Sequence, residues 1–345
     1  MLNFKEYQEY VLSSLSDMLP KELENATIGI SDVIKNNGLV LHGLTVTPEG
    51  KNIAPTIYLE PYFGQYMEGK DLDSTLEDIV ELAAKHADAP SISNSIAKDF
   101  MNFDYIKERV VVVLVNTEKN RELLENTPHI EYEDLSFIYK VLVDDSVEAG
   151  MSTITIKEQH LEYWGVNVND LHEYAMKNSE ELLPASVRNL TDLMVEMMGR
   201  DGMPEEVIEQ MIGDIPPENQ MYVITNKSNV NGAAAMFYTD TLSKLSEKLG
   251  GDDLYILPSS VHEVIAVSTQ MGTPEMLAEM VQEVNGNEVS MEEQLSDHVY
   301  KYDAKTKDLT LADTTIEEIK KAAESLVKEV TSEASQETAR ARHHR

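Results

Sequence analysis

Two hydroxyls, an imidazole and a carboxylate fall within five residues of Leu257-Pro258-Ser259-Ser260-Val261-His262-Glu263. A nucleophile, a base and an acid are the ingredients of hydrolytic chemistry, but their spacing works against it. Strand alternation would put Ser260 and His262 on one face and Ser259 and Glu263 on the other. Glu263 could not then orient His262, and a nucleophile-base-acid set would need partners from elsewhere. Ser-Ser after proline also reads as a turn between two strands, with His262 satisfied locally. A small-ligand pocket or hydrolytic site at this point would draw on Asn226, Asn231, Ser259, Ser260 and His262.

Other chemistry can be refused on spacing. GQYMEGKD, from Gly64 to Asp71, nearly matches a phosphate-binding loop, but Asp71 stands where the magnesium-holding hydroxyl belongs, and a carboxylate there repels phosphate. The chain has no GxGxxG, and its nine histidines include no HExxH pair and no two at i, i+4. No acidic stretch has the oxygen-ligand alternation and central glycine of a calcium loop. With no cysteine there is no disulfide, thiolate metal site or cysteine nucleophile. The expectation is no metal, no cofactor and a chain that leans away from being an enzyme.

The acidic helices are better defined. In TPEMLAEMVQEVNG, Thr273 caps, Pro274 takes the first turn, and Leu277, Met280, Val281 and Val284 form the expected buried stripe. Glu275, Glu279 and Glu283 then line up every four residues on the other side. Like charges so spaced cost roughly 0.2–0.5 kcal/mol per pair, so helix stability does not ask for them. MPEEVIEQMIG repeats the pattern, with Val207, Ile208, Met211 and Ile212 inward and Glu205 and Glu209 outward. One such stripe carries a charge every ~6 Å of rise, sparser than the ~3.4 Å per phosphate of a DNA strand. Mimicry of nucleic acid would need several stripes on one face, with Glu288, Glu292, Glu293, Asp252 and Asp253 as further contributors.

Composition sharpens the point. The 345 residues carry a formal charge of −34, and residues 201–300 hold eighteen carboxylates against Lys227, Lys244 and Lys248 alone. Such a polyanion is repelled by nucleic-acid backbones and anionic membranes and attracted to basic protein surfaces. At 42% hydrophobic content the chain can bury a core. The opening MLNFKEYQEY lacks a signal pattern and the apolar run Val110 to Val115 is too short to span a bilayer, so a cytoplasmic protein is expected.

The elements that must position these groups follow from periodicity. The spacing of Phe4, Tyr7, Val11 and Leu15 predicts a helix; TIGISDVI and LVLHGLTV predict a hairpin through Asn37-Gly38; a third strand lies around IAPTIYLE, is broken at Pro61, and precedes a helix on Leu72, Leu76, Ile79, Val80 and Ala83. RVVVVLVN, TEKNRELLE, LSFIYKVLV, STITI and NVNDLHEYAMK read β-α-β-β-α. MYVITN, AMFYTDTLSKLSEKLGG, DLYILPS, HEVIAVS and TPEMLAEMVQEVNG repeat that order. Between them LTDLMVEMMGRDGMPEEVIEQMIGDIPPENQ is a methionine-rich helical connector whose Met194, Met197, Met198, Met203 and Met211 are either core filler or an adaptable binding surface. The expected fold class is α/β in the mixed α+β sense. An N-terminal α-β-β-β-α unit (1–100) is followed by a β-α-β-β-α unit (101–190), the connector (191–219), a related β-α-β-β-α unit (220–303) and a C-terminal hairpin, helix and basic tail (304–345).

NIAPTIYLEP, VNTEKNRELL, PHIEYEDLSF, YVITNKSNVNGAAAMFY, LYILPSSVHEV and LSDHVYKYD, in this order, resemble the bacterial domain-of-unknown-function family 5688, over about residues 1–303. The resemblance carries no reaction, substrate or catalytic residue. It implies a setting: conjugative elements and phages of Firmicutes. Charge and setting together lead to the expectation of a non-enzymatic acidic binding protein. It would inhibit a host nucleic-acid-binding defence protein, such as a nuclease, by presenting a carboxylate-rich surface made of Glu205, Glu206, Glu209, Glu275, Glu279, Glu283, Glu292 and Glu293. The small-molecule-binding or hydrolytic pocket near LPSSVHE is the alternative.

Overall fold

A computed structural model describes residues 1–50, 54–88, 100–144, 151–213, 215–216 and 219–313. The basic tail and the helix expected beyond Asp313 lie outside the described residues. The fold is mixed α+β, and each of the three sheets among the described residues is antiparallel.

Helix α1 (Phe4–Met18) opens with a reciprocal cap between Asn3 and Glu6 and buries Tyr7, Val11 and Leu15. Strands β1 (Thr27–Ile34) and β2 (Val40–Thr47) pair along their full length, from Thr27 opposite Thr47 to Ile34 opposite Val40. The turn between them places Asn37 and Gly38 at φ 59° and 71°, the left-handed pair that Asn-Gly accommodates at little cost. Strand β3 (Thr56–Tyr58) adds to β2. Pro61 then opens helix α2 (Glu60–Met67) rather than only ending a strand, because a missing N–H costs nothing in a first helical turn. Helix α3 (Leu72–Asp88) closes a separate core in which Tyr7, Leu44, Ile57, Leu76 and Ile79 pack together.

The second sheet is built around β6 (Leu135–Asp144). It carries β4 (Val110–Asn116), buried at every residue, on one edge, and β5 (His129–Tyr132) and β7 (Ser152–Thr155) along the other. Helices α4 (Glu158–Trp164) and α5 (Val168–Leu182) follow, the latter capped by Asn167. The third sheet runs β13-β12-β10-β11-β9-β8. Its strands are β8 (Ala185–Asn189), β9 (Met221–Asn226), β10 (Leu254–Leu257), β11 (Val264–Ser268), β12 (Tyr300–Tyr302) and β13 (Leu309–Leu311). Helices α6 (Leu190–Arg200) and α7 (Glu205–Ile212) join β8 to β9. Helix α8 (Thr241–Lys248) precedes β10, and α9 (Pro274–Asn287) follows β11. The triplets β4-β6-β5 and β9-β11-β10 share one order, first-third-second.

One core serves both larger sheets: Val112, Leu114, Phe137 and Tyr139 from one meet Tyr222, Ile224, Ile256, Val264 and Tyr300 from the other. Ala233, Ala234 and Ala235 are wholly buried within it. That explains a departure from the single helix expected over AMFYTDTLSKLSEKLGG. The chain runs as a tight 3-10 turn over Gly232–Phe237, breaks where Asp240 takes φ 60°, and only then forms α8. Polar bonds also tie the two sheets. Asp134 accepts from the Tyr300 hydroxyl and from Ser296 Oγ at 2.6 Å across to the third sheet, and from Asn116 Nδ2 at 3.2 Å within its own, while Lys119 Nζ pairs with Asp297 at 2.9 Å.

The β1–β2 tip docks on both. Asn36 Nδ2 donates to the Glu292 carbonyl at 2.8 Å, and Asn37 Nδ2 donates to the Met291 and Gln294 carbonyls at 2.7 Å. No helix among the described residues is long and apolar enough to cross a membrane.

Candidate functional site

The Ser-Ser-Val-His segment is a turn between β10 and β11, not a continuous strand, so alternation does not govern where its side chains go. Each group holds backbone. Ser260 Oγ accepts from the His262 amide at 3.0 Å, and His262 Nδ1 accepts from the Asn231 amide at 3.1 Å. That second bond fixes the proton on Nε2, which stands 3.5 Å from Glu293 Oε1. Asn226 closes its own loop, donating from Nδ2 to the Val230 carbonyl at 2.9 Å and accepting from the Ser228 amide at 2.9 Å. The Ser259 carbonyl accepts from the Leu295 amide at 3.0 Å. Burial pushes the Glu263 carboxyl up against the opposing pull of His262, and Glu293 nearby adds to the rise. The five pocket candidates are thus brought together, but as a turn that braces itself, with no Ser–His hydrogen bond of the kind a nucleophile needs.

The acidic candidates separate into three groups. Glu275, Glu279 and Glu283 are exposed along α9, as their spacing predicts. Among the described residues no Lys, Arg or His makes an ion pair with any of them. Glu292 and Glu293 are half-buried in the turn after α9; the first gives its carbonyl to Asn36 and the second its carboxylate to His262. The positions of Glu205, Glu206 and Glu209 fall on α7, but their side chains lie outside the described residues. Of the further contributors, Glu288 is exposed, Asp252 accepts from Gln270 Nε2 at 2.8 Å, and Asp253 is held by Lys301 at 2.8 Å.

The inner face of α9 differs from the expected stripe. Leu277, Ala278 and Val281 are buried against Leu257, Val267 and Val299, and Asn285 is buried beside them in sequence, whereas Met280 and Val284 are 37% exposed and Met276 is 52% exposed. Asn285 takes the inward place that Val284 was expected to fill, because its amide donates to the Ser296 carbonyl at 2.9 Å and to Asp297 at 2.7 Å. The helix therefore shows solvent two adjacent rows, the acidic 275-279-283 and the apolar 276-280-284, each one turn apart. Sequence reasoning missed the second row, since a methionine at helical spacing reads equally well as core.

The connector repeats this character. On α6 and α7, Met194, Met197, Val207 and Met211 are 42–63% exposed, and Ile208 is the buried contact. Arg188 and Arg200 gather about Glu196 beside them. Among the described residues, no group of three His, Asp or Glu could hold a metal ion.

No curated protein and no solved structure matches this chain. A family model does, from residue 4 to residue 304, and by that match over most of its length the chain belongs to the family of unknown function DUF5688.

Proposed function

We propose that this is a non-enzymatic binding protein whose α9 face engages a basic surface of another protein. The carrying observation is the juxtaposition on one helix of three carboxylates without a cationic partner among the described residues and an uncovered Met-Met-Val row. Neither row stabilises the helix: the carboxylates repel at i, i+4, and the methionines forgo burial. Together they suit a partner with an apolar ridge flanked by Lys or Arg, since unbranched thioethers repack around varied shapes and the charges steer the encounter.

A surface that binds nucleic acid is of this kind, since it carries Lys and Arg to pair with phosphates. Carboxylates fixed by a fold occupy such a surface without the ordering entropy of an acidic tail. The further reading, inhibition of a host defence protein by a mobile-element product, rests on the setting the family resemblance implies. The test is capture from a Gram-positive lysate at low salt, followed by a salt gradient. An electrostatic partner leaves at moderate ionic strength, because charge pairing weakens as the Debye length falls from ~10 Å at 0.1 M to ~3 Å at 1 M. A partner that stays bound to the end of the gradient would contradict the reading.

A further inference from the structure

The most acidic third of the chain places two of its three lysines on one cleft. Residues 201–300 contain Lys227, Lys244 and Lys248 as their only Lys or Arg. Lys244 and Lys248, one turn apart on α8, both line a cleft of ≈ 420 Å³ between α8, the end of α5 and strand β8. Such a volume lies within the roughly 300–1,000 Å³ range of small-molecule sites. Among the described residues neither lysine makes an ion pair, although carboxylates outnumber cations about two to one in the whole chain. Lys248 instead sits over the Tyr222 ring, 4.7 Å from its centroid.

The rest of the lining divides by chemistry. Ala185, Val187 and Leu245 make an apolar wall, and Thr239 and Thr241 bring hydroxyls. Glu180 spends Oε1 on the Thr239 amide at 2.7 Å and the Thr239 hydroxyl at 2.8 Å, which fixes the loop at the rim and leaves its second oxygen to accept from a hydroxyl or amine. Tyr238, buried at the base, is held protonated: burial pushes its phenol up to about 12.

We propose that this cleft binds a small phosphorylated molecule, with Lys244 and Lys248 holding the phosphoryl group, Glu180 accepting from a hydroxyl of its body and the Val187 wall covering an apolar face. Lysine suits this as a mobile point charge with three donors, where a planar carboxylate would favour arginine. The chain's overall negative charge does not forbid it, because at physiological salt a charge is screened beyond ~8 Å, and the lining itself carries two ammonium groups against the one carboxylate of Glu180. The site is independent of the α9 face, so it stands or falls separately from the proposed function.

The experiment uses the full chain with ribose 5-phosphate, adenosine monophosphate, inorganic phosphate and ribose as probes. Binding is followed by calorimetric titration and by the rise in melting temperature that any native-state ligand produces. The proposal expects heat and a shift from at least one organic phosphate, none from ribose, and weaker binding of inorganic phosphate. It also expects about a ten-fold or greater loss of affinity in Lys244→Gln/Lys248→Gln, against no change in Lys21→Gln. Both lysines are exposed, so the double variant should fold with an unchanged far-ultraviolet spectrum. No binding by any phosphorylated probe, equal binding of ribose, or undiminished binding by the double variant would overturn the proposal.

Discussion

Asn37 and Asn120 bond each other twice. The Asn37 amide donates to Asn120 Oδ1 at 2.8 Å, and Asn120 Nδ2 donates to Asn37 Oδ1 at 2.9 Å. The pair joins the tip of the first hairpin to the loop after β4, 83 residues away, in a place where Asn120 is 1% exposed. Asn37 does two jobs there: its left-handed backbone makes the turn, and its side chain carries the turn onto the next unit.

Asn120→Ala should therefore leave buried polar groups unpaired on the hairpin tip. The expected cost is about 1–3 kcal/mol in urea unfolding, with faster amide exchange at Lys35–Leu39 as the local sign. A change within about 0.5 kcal/mol, the range of ordinary surface substitutions, would contradict this docking.

Gly232 tests the braced turn. A Cβ there would stand 2.2 Å from Thr225 Oγ1 and 2.6 Å from both the Asn226 nitrogen and the His262 carbonyl oxygen. Two of those three are backbone and cannot swing aside. Gly232→Ala should cost about 3 kcal/mol or more, or prevent folding, whereas Gly199→Ala, with open space around it, should not destabilise. Equal melting temperatures for the two variants would refute the close approach of these three segments.

Lys140 projects from β6 where burial, and then the charge of Lys35, push its ammonium down to about 8. A depressed lysine disfavours the folded state at neutral pH, and that penalty is relieved as pH rises from about 8 towards the unfolded value near 10.5. Lys140→Met should stabilise the protein by about 1–3 kcal/mol at pH 7 and flatten the stability curve across that window. Destabilisation at pH 7 would show that the ammonium has a partner after all.

His298 moves the other way. Its hydrogen bond to Asp313, 3.0 Å from Nδ1, raises its affinity for a proton, against the pull of burial. A raised histidine contributes stability that is fully present below its unfolded value near 6.5 and is lost as pH climbs through the folded one. Asp313→Asn should remove that slope, as read from melting temperatures between pH 5 and 8. An unchanged slope would place the titration elsewhere.

The sequence was legible where periodicity and turn chemistry are local. Asn37-Gly38 marked its hairpin, Val110–Asn116 read as a strand buried on both faces, and Thr273-Pro274 marked the start of α9. Strands β5 and β8 were not read. His129–Tyr132 and Ala185–Asn189 are short and polar at alternate positions, and they become strands only because β6 and β9 offer them an edge. The helix expected over AMFYTDTLSKLSEKLGG starts only at Thr241, because its first residues, Ala235 to Phe237, finish a 3-10 turn that the shared core holds. At the site, the glutamate spacing on α9 was visible, but the exposure of Met276, Met280 and Val284 depends on Asn285 winning the inward position through Ser296 and Asp297. The lysine cleft depends on α5, α8 and β8 meeting, which no single stretch of sequence encodes.

The central claim, binding of a basic partner through α9, is tested most directly by capture with the wild-type protein and with Glu275→Lys/Glu279→Lys/Glu283→Lys in parallel, quantified by mass spectrometry. All three positions are exposed, and the reversal turns a row of mutually repelling carboxylates into a row of mutually repelling ammonium groups, so the i, i+4 repulsion along the helix is unchanged and the fold should tolerate it. The account predicts that the wild type retains a basic protein, releases it at moderate salt, and that the triple variant retains less than a tenth as much, a loss of about 1.4 kcal/mol or more. Equal retention by both proteins, or retention of nothing by the wild type, would contradict it.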